Sequence, residues 1–111
     1  ARLKEKITVQ TDRLDAVIDR YVDPQSRFSV KLDVQGAELI VLEGMEAVLD
    51  RVDCLILELS IVGLYEGQPL YFELDAYLRA RGFDMCDLEP GFRPIAGGAL
   101  LEFDAVYAAR Q

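Results

Sequence analysis

Lys31-Leu32-Asp33-Val34-Gln35-Gly36-Ala37-Glu38 is the stretch that decides how this chain is read. An apolar run ends there on an acid, and a glycine-hinged turn hands over to residues with helical spacing. In open α/β sheets, ligands sit in the crevice beyond the carboxyl ends of the parallel strands, so a carboxylate at a strand's last residue points at any substrate. The chain has no G-x-G-x-x-G and no G-x-x-x-x-G-K-S/T loop, so the phosphate cradle that often accompanies such a strand is missing.

Working outward, residues 28–33 are rich in β-favouring side chains and read as a strand. Residues 37–50 follow as a helix, with Leu39, Leu42, Met45 and Leu49 recurring every three or four positions and Glu38 in the first turn, where the dipole favours an acid. Residues 54–59 form a nearly continuous apolar run broken only by Glu58, the pattern of a strand covered on both faces. Strand, helix and strand span about 33 residues, the size of a right-handed βαβ unit.

Upstream, residues 7–10 alternate as a short strand, and Thr11 or Asp12 caps a helix carrying Leu14, Val17, Ile18 and Tyr21, which Asp23-Pro24 stops. Downstream, a loop over residues 60–69 leads to a helix with Phe72, Leu74, Tyr77 and Leu78, read as core, that ends at Gly82. Residues 83–88 and 100–108 alternate as strands, and Glu89-Pro90-Gly91 with Gly97-Gly98 supplies the turns of a long-looped terminal hairpin. The predicted order is β-α-β-α-β-α-β-β, a mostly parallel α/β sheet with an antiparallel terminal hairpin, in one domain over residues 1–111.

Composition narrows the function. A chain of 111 residues, 51% of them hydrophobic, can bury roughly two-thirds of its unfolded surface and argues against disorder. A net charge of −8 argues against a nucleic-acid surface, and no apolar run reaches the length of about 18 to 20 residues that a spanning helix needs. Histidine is absent, which removes the Ser-His-Asp and Cys-His classes and leaves acid–base work to Asp, Glu, Lys or Tyr. Cys54 and Cys86 each lie in an apolar strand-like run outside any C-x-x-C and are expected as buried thiols. With no charged-then-apolar leader, a reducing, cytoplasmic location is expected.

Three stretches, in order, resemble the carboxyl-terminal half of the FkbM-family methyltransferases. The family's K-I-D-V-E-G-A-E followed by V-L-x-G stands here as residues 31–38 and Val41-Leu42-Glu43-Gly44, departing at Gln35. Leu57-Glu58-Leu59-Ser60 with Leu64-Tyr65-Glu66-Gly67-Gln68-Pro69-Leu70 resembles the strand-five glutamate and its loop. Arg81-Gly82-Phe83, Asp87-Leu88-Glu89-Pro90-Gly91-Phe92 and Asp104-Ala105-Val106-Tyr107 resemble the family's ending, and Arg13-Leu14-Asp15 its R-L-D. The resemblance implies half of a class I, Rossmann-like sheet and an S-adenosylmethionine-dependent O-methyltransferase acting on a hydroxyl of a sugar or natural product. In the family, a glycine-rich turn after the first strand and an acid ending the second hold the cofactor. Both precede anything here, so these residues are expected to be inactive alone and to bind no cofactor.

On that resemblance Asp33 and Glu58 are the candidate catalytic residues, because O-methylation removes the acceptor hydroxyl's proton as its oxygen attacks the methyl. Asp33 as a plain helix cap is the structural alternative. Lys31 shares a strand face with Asp33 and would neutralise Glu58 if the strands are adjacent; the three form a polar cluster that is either catalytic or metal-binding in the parent protein, or else a structural ion pair. Lys31, Gln35, Glu38 and Tyr65 are candidate substrate contacts, the last in a loop of enough polar variety to line a pocket. Asp104, inside an apolar strand, is expected in a structural hydrogen bond. No metal site is assigned, although Asp33, Glu38 and Glu58 are oxygen donors that suit magnesium.

The expected partners are a small hydroxyl acceptor and a second copy of the chain, joined through the open edge of the 28–33 strand. Nucleic acid and membrane are not expected. A non-catalytic α/β interaction module, and one half of a split enzyme completed in trans, are the rival readings.

Overall fold

A computed structural model describes residues 23, 25–32, 38–63 and 66–110. Strand β1 (Phe28–Leu32) leads to helix α1 (Glu38–Glu43), a 3-10 helix over Glu46–Arg51, and strand β2 (Val52–Ser60). Helix α2 (Tyr71–Ala80) and strands β3 (Phe83–Pro90) and β4 (Glu102–Ala109) complete the order. The predicted strand at residues 7–10 and the helix through Leu14 to Tyr21 lie outside the described residues.

The sheet runs β1-β2-β4-β3. β1 pairs parallel with β2, while β4 pairs antiparallel with both β2 and β3. The chain is thus a small α/β protein with a mixed sheet; among the described residues two of the three ladders are antiparallel, so a mostly parallel sheet is not what these strands form. The hairpin does not simply extend the edge, because its second strand slots into the interior and leaves β3 outside. Side chains explain the order. β4 buries Phe103, Ala105 and Tyr107, whereas β3 is exposed from Cys86 onward and carries Asp87, Glu89 and Pro90. Charges, a proline and a bulge suit an edge strand and penalise an interior one. Because β4 opposes both neighbours, β3 points the same way as β1 and β2.

The bulge lies between Met85 and Asp87 and puts Cys86 out of register. Cys86 is therefore exposed, correcting the expectation of two buried thiols, while Cys54 is buried and its thiol is pushed up chiefly by that burial.

One sheet face carries the core. Leu55, Leu57 and Leu59 of β2 join Phe103, Ala105 and Tyr107 of β4 against Leu74 and Leu78 of α2 and Leu42, Met45, Val48 and Leu49 from the α1 side. Each fully buried leucine contributes about 1.5–3 kcal/mol of transfer free energy, so this face is the main source of stability. The single helix expected over residues 37–50 is broken in two. After Gly44 the backbone tightens, with the Met45 N–H donating to the Leu42 carbonyl at 3.0 Å, and the 3-10 helix carries on to β2. Glycine weakens a helix interior, and the tighter winding turns Met45, Val48 and Leu49 inward together.

Helix α2 opens with the Leu70 N–H donating to Glu73 Oε1 at 2.9 Å, and the turn that ends it uses the left-handed backbone of Gly82, at φ 92°. Buried Tyr107 donates from its phenol to Asp75 Oδ1 at 2.6 Å, tying α2 to the sheet. On the helix flank, Tyr77 donates to Glu46, and Arg81 Nε donates to Glu46 Oε1 at 2.9 Å while its guanidinium lies over the Tyr77 ring. Phe72, expected in the core, is 56% exposed because Leu74 and Leu78 define the inward stripe and Phe72 falls opposite it. Among the described residues no helix is long and apolar enough to cross a membrane.

Candidate functional site

The other face of the sheet supplies the polar groups. Residues directly opposite one another in paired strands share a face. Lys31 stands beside Ile56, Ile56 opposite Val106, and Val106 opposite Asp87. One step toward the carboxyl end of β2, Glu58 faces Asp104 and Asp104 faces Glu89, a row of three carboxylates across three strands. The next pair is Ser60 with Glu102.

Over these rows opens a cavity of about 510 Å³ at the carboxyl ends of β1 and β2. Lys31, Glu38, Glu58, Asp87, Glu89 and Asp104 line it among apolar walls that include Leu32, Ile56 and Val106. Its place in the sheet is the one the sequence indicated for a ligand crevice. Glu38, first residue of α1, is buried despite its charge. The loop beyond β2 is tied down by Gln68 Nε2, which donates to the buried Ser60 Oγ at 2.6 Å.

The electrostatics centre on Glu58. Its carboxyl is pushed up from the usual 4.5 to about 7, first by burial, then by a hydrogen bond with Glu102 and by the negative charges of Glu102, Asp104 and Glu38. Lys31 lines the same cavity but is exposed, and the group engaging Glu58 is another carboxyl. Two carboxyls in contact cannot both ionise freely, so near neutrality a proton does the neutralising that a lysine would otherwise do. A carboxyl in this state gives up its proton close to working pH and is a stronger base than an ordinary aspartate.

Of the residues singled out from sequence, Lys31, Glu38 and Glu58 come together around the cavity. Asp33, Gln35 and Tyr65 lie outside the described residues. Glu102 was missed, and Asp104 is exposed between Glu58 and Glu89 where a structural hydrogen bond had been expected. The signal was present in Glu102-Phe103-Asp104-Ala105, whose alternation places both acids on one face; what it lacked was the knowledge that this strand lies against β2. Among the described residues no group of three or more Cys, Asp or Glu is arranged to hold a metal ion.

The profile of the methyltransferase FkbM domain matches residues 1–85, a span that runs through β1, α1, β2, α2 and the start of β3. No curated protein and no solved structure matches the chain. With more than half its length matched, and with the Lys31, Glu38 and Glu58 positions inside the match, the chain belongs to the FkbM methyltransferase domain family.

Proposed function

We propose that this chain is the acceptor-side part of an S-adenosylmethionine-dependent O-methyltransferase with a Rossmann-like sheet, acting on a hydroxyl of a sugar or natural product in the cytoplasm. One observation carries the reading: in a chain of this family, a cavity at the carboxyl ends of parallel strands contains a half-buried glutamate whose carboxyl titrates near neutrality.

Glu58 is the general base. As the acceptor oxygen attacks the methyl carbon, its O–H bond breaks and the proton passes to the Glu58 carboxylate. When bound, S-adenosylmethionine would supply a methyl carbon activated by a positively charged sulfur leaving group. The carboxylates of Glu38 and Glu58 fit that positive charge, and the acid-lined cavity concentrates cations over anions. Asp33, the residue that follows β1 in the sequence, is assigned to orienting the acceptor, and Lys31, Gln35, Glu38 and Tyr65 to contacting its other polar groups. The methionine and ribose of the donor are assigned to protein outside these 111 residues, so the chain alone is proposed to be inactive, and micromolar binding of S-adenosylmethionine in a calorimeter would contradict that part.

Among the described strands of the chain taken by itself, β1 is the proposed assembly edge. β3, at the opposite edge, is blunted by its bulge, Asp87, Glu89 and Pro90, whereas β1 is Phe-Ser-Val-Lys-Leu with one charge. A second copy pairing along β1 is the proposed partner.

The test is methyl transfer by the protein that joins this domain to its cofactor half. Glu58→Gln is expected to lower kcat about 100-fold or more, in the range of a lost general base. Near-normal turnover by both Glu58→Gln and Asp33→Asn would overturn the assignment.

A further inference from the structure

Glu102 lies outside the stretch matched by the family and outside every role assigned above. It stands opposite Ser60, two positions along from the Glu58–Asp104 pair, so Glu58 and Glu102 are diagonal neighbours on one face of an antiparallel ladder. Diagonal positions are within reach of long side chains. Their burial differs in an instructive way: Asp104 is exposed, whereas Glu102 is only 9% exposed. Glu58 lines the cavity and Glu102 stands behind it, hydrogen-bonded to it.

The backbone at Glu102 is held firmly. Its carbonyl accepts from the Gly91 N–H at 3.0 Å, and a Cβ placed on Gly91 would come within 2.8 Å of that same oxygen, so only glycine permits the approach. On the preceding residue, the Leu101 N–H donates to the Phe92 carbonyl and the Leu101 carbonyl accepts from the Ile61 N–H. Ser60, the residue across from Glu102, already accepts from Gln68. Among the described residues, the charged groups around the pair are Lys31 from β1, Glu38 from α1, Asp104 from β4, and Asp87 and Glu89 from β3. Four of these five are acids and the lysine is exposed, so the group that meets Glu58 here is another acid.

We propose that Glu102 is a positioning residue for Glu58, the two carboxyls sharing one proton that fixes the Glu58 side chain until an acceptor hydroxyl replaces the contact. This rests on Glu58 acting as the base in the proposed reaction. When the acceptor binds, the shared proton leaves to solvent and the Glu58 carboxylate turns to the acceptor O–H. Oxygen forms its bond to the sulfonium methyl, the C–S pair leaves with sulfur, and Glu58 takes the hydroxyl proton. The pair then holds one proton again, its starting state. Removing Glu102 would leave Glu58 an earlier-ionising and unanchored carboxylate.

Carboxyl carbon NMR on the chain reads this without turnover. In the wild-type protein the Glu58 resonance is expected to titrate near pH 7, with the Glu102 resonance reporting the same step. Glu102→Gln is expected to lower the Glu58 midpoint by about one unit or more, and Glu102→Asp to restore part of it. An unchanged midpoint in Glu102→Gln overturns the proposal. If that variant does not fold, the wild-type titration still decides: a Glu102 signal blind to the Glu58 step overturns it equally. Failure of the base assignment is read separately, by retained methyl transfer in Glu58→Gln, which would leave the shared proton intact and remove only its catalytic purpose. In the active protein, Glu102→Gln is expected to shift the acidic limb of the kcat profile toward lower pH, a change that loss of packing alone does not produce.

Discussion

Replacing Glu58 with glutamine should change how the fold's stability depends on pH more than it changes stability at any one pH. The Glu58 carboxyl is raised from 4.5 to about 7 in the folded chain, so between those values the folded state holds a proton that the unfolded state has released. Stability therefore falls as pH rises across this window: the contribution is fully present below 4.5 and is lost as pH passes through about 7. At 1.36 kcal/mol per unit, the span amounts to about 3 kcal/mol. Glutamine keeps the volume and the hydrogen-bonding capacity but cannot ionise. Urea melts of both proteins at half-unit steps from pH 4 to 8.5 isolate the effect of Glu58 and its contact with Glu102, because the titrating groups away from that contact are common to the two. Glu58→Gln should gain about 3 kcal/mol relative to the wild type between the acidic and alkaline ends, on the order of 10 °C in Tm at alkaline pH. Glu102→Gln should recover part of the same gain, and the double variant should gain less than the sum, as expected for two groups in contact. Parallel stability curves for wild type and Glu58→Gln would refute the reasoning, since the carboxyl would then ionise in the fold much as it does in the unfolded chain.

Other parts of the fold are open to equally direct checks. Tyr107→Phe keeps the buried ring but removes the donor to Asp75, and urea melts should show a loss of about 1–2 kcal/mol, with no loss contradicting the tie between β4 and α2. Thiol labelling of the native protein should modify Cys86 quickly and Cys54 only on unfolding, since one is exposed and the other is buried with its thiolate disfavoured; two fast thiols would contradict the placement of β2. Light scattering at high micromolar concentration should report a mass above one chain, and a monomer would count against β1 as an assembly edge.

Much of the architecture was legible because local patterns and tertiary contacts agree. The apolar run through Leu55, Leu57 and Leu59 is a covered strand, and the Leu74 and Leu78 stripe is the buried face of its helix. The order of the last two strands was not legible. Alternation marks both as strands but does not say which lies inside, a choice made by the sum of Asp87, Glu89 and Pro90 against Phe103, Ala105 and Tyr107. Register also escapes one-dimensional reading. Glu58 was evident as an acid in an apolar run, yet its partner depended on β4 entering next to β2, which brought Glu102 and Asp104 beside it in place of Lys31. Cys86 shows the same limit at one residue: its neighbours spell a strand, and a single bulge turns it out to solvent. The break after Gly44 is similar, since helical spacing continues through Leu49 while the backbone changes from α to 3-10 winding.

The central claim, that the Glu58 carboxyl accepts the acceptor's proton, is tested most directly by the pH dependence of kcat/KM for methyl transfer in the protein that contains this domain. A base that ionises at about 7 predicts a rate rising about tenfold per pH unit below neutrality and levelling above it, with that rise abolished in Glu58→Gln. A wild-type profile already flat from pH 5.5 upward, or an unaltered rise through neutrality in Glu58→Gln, would contradict it.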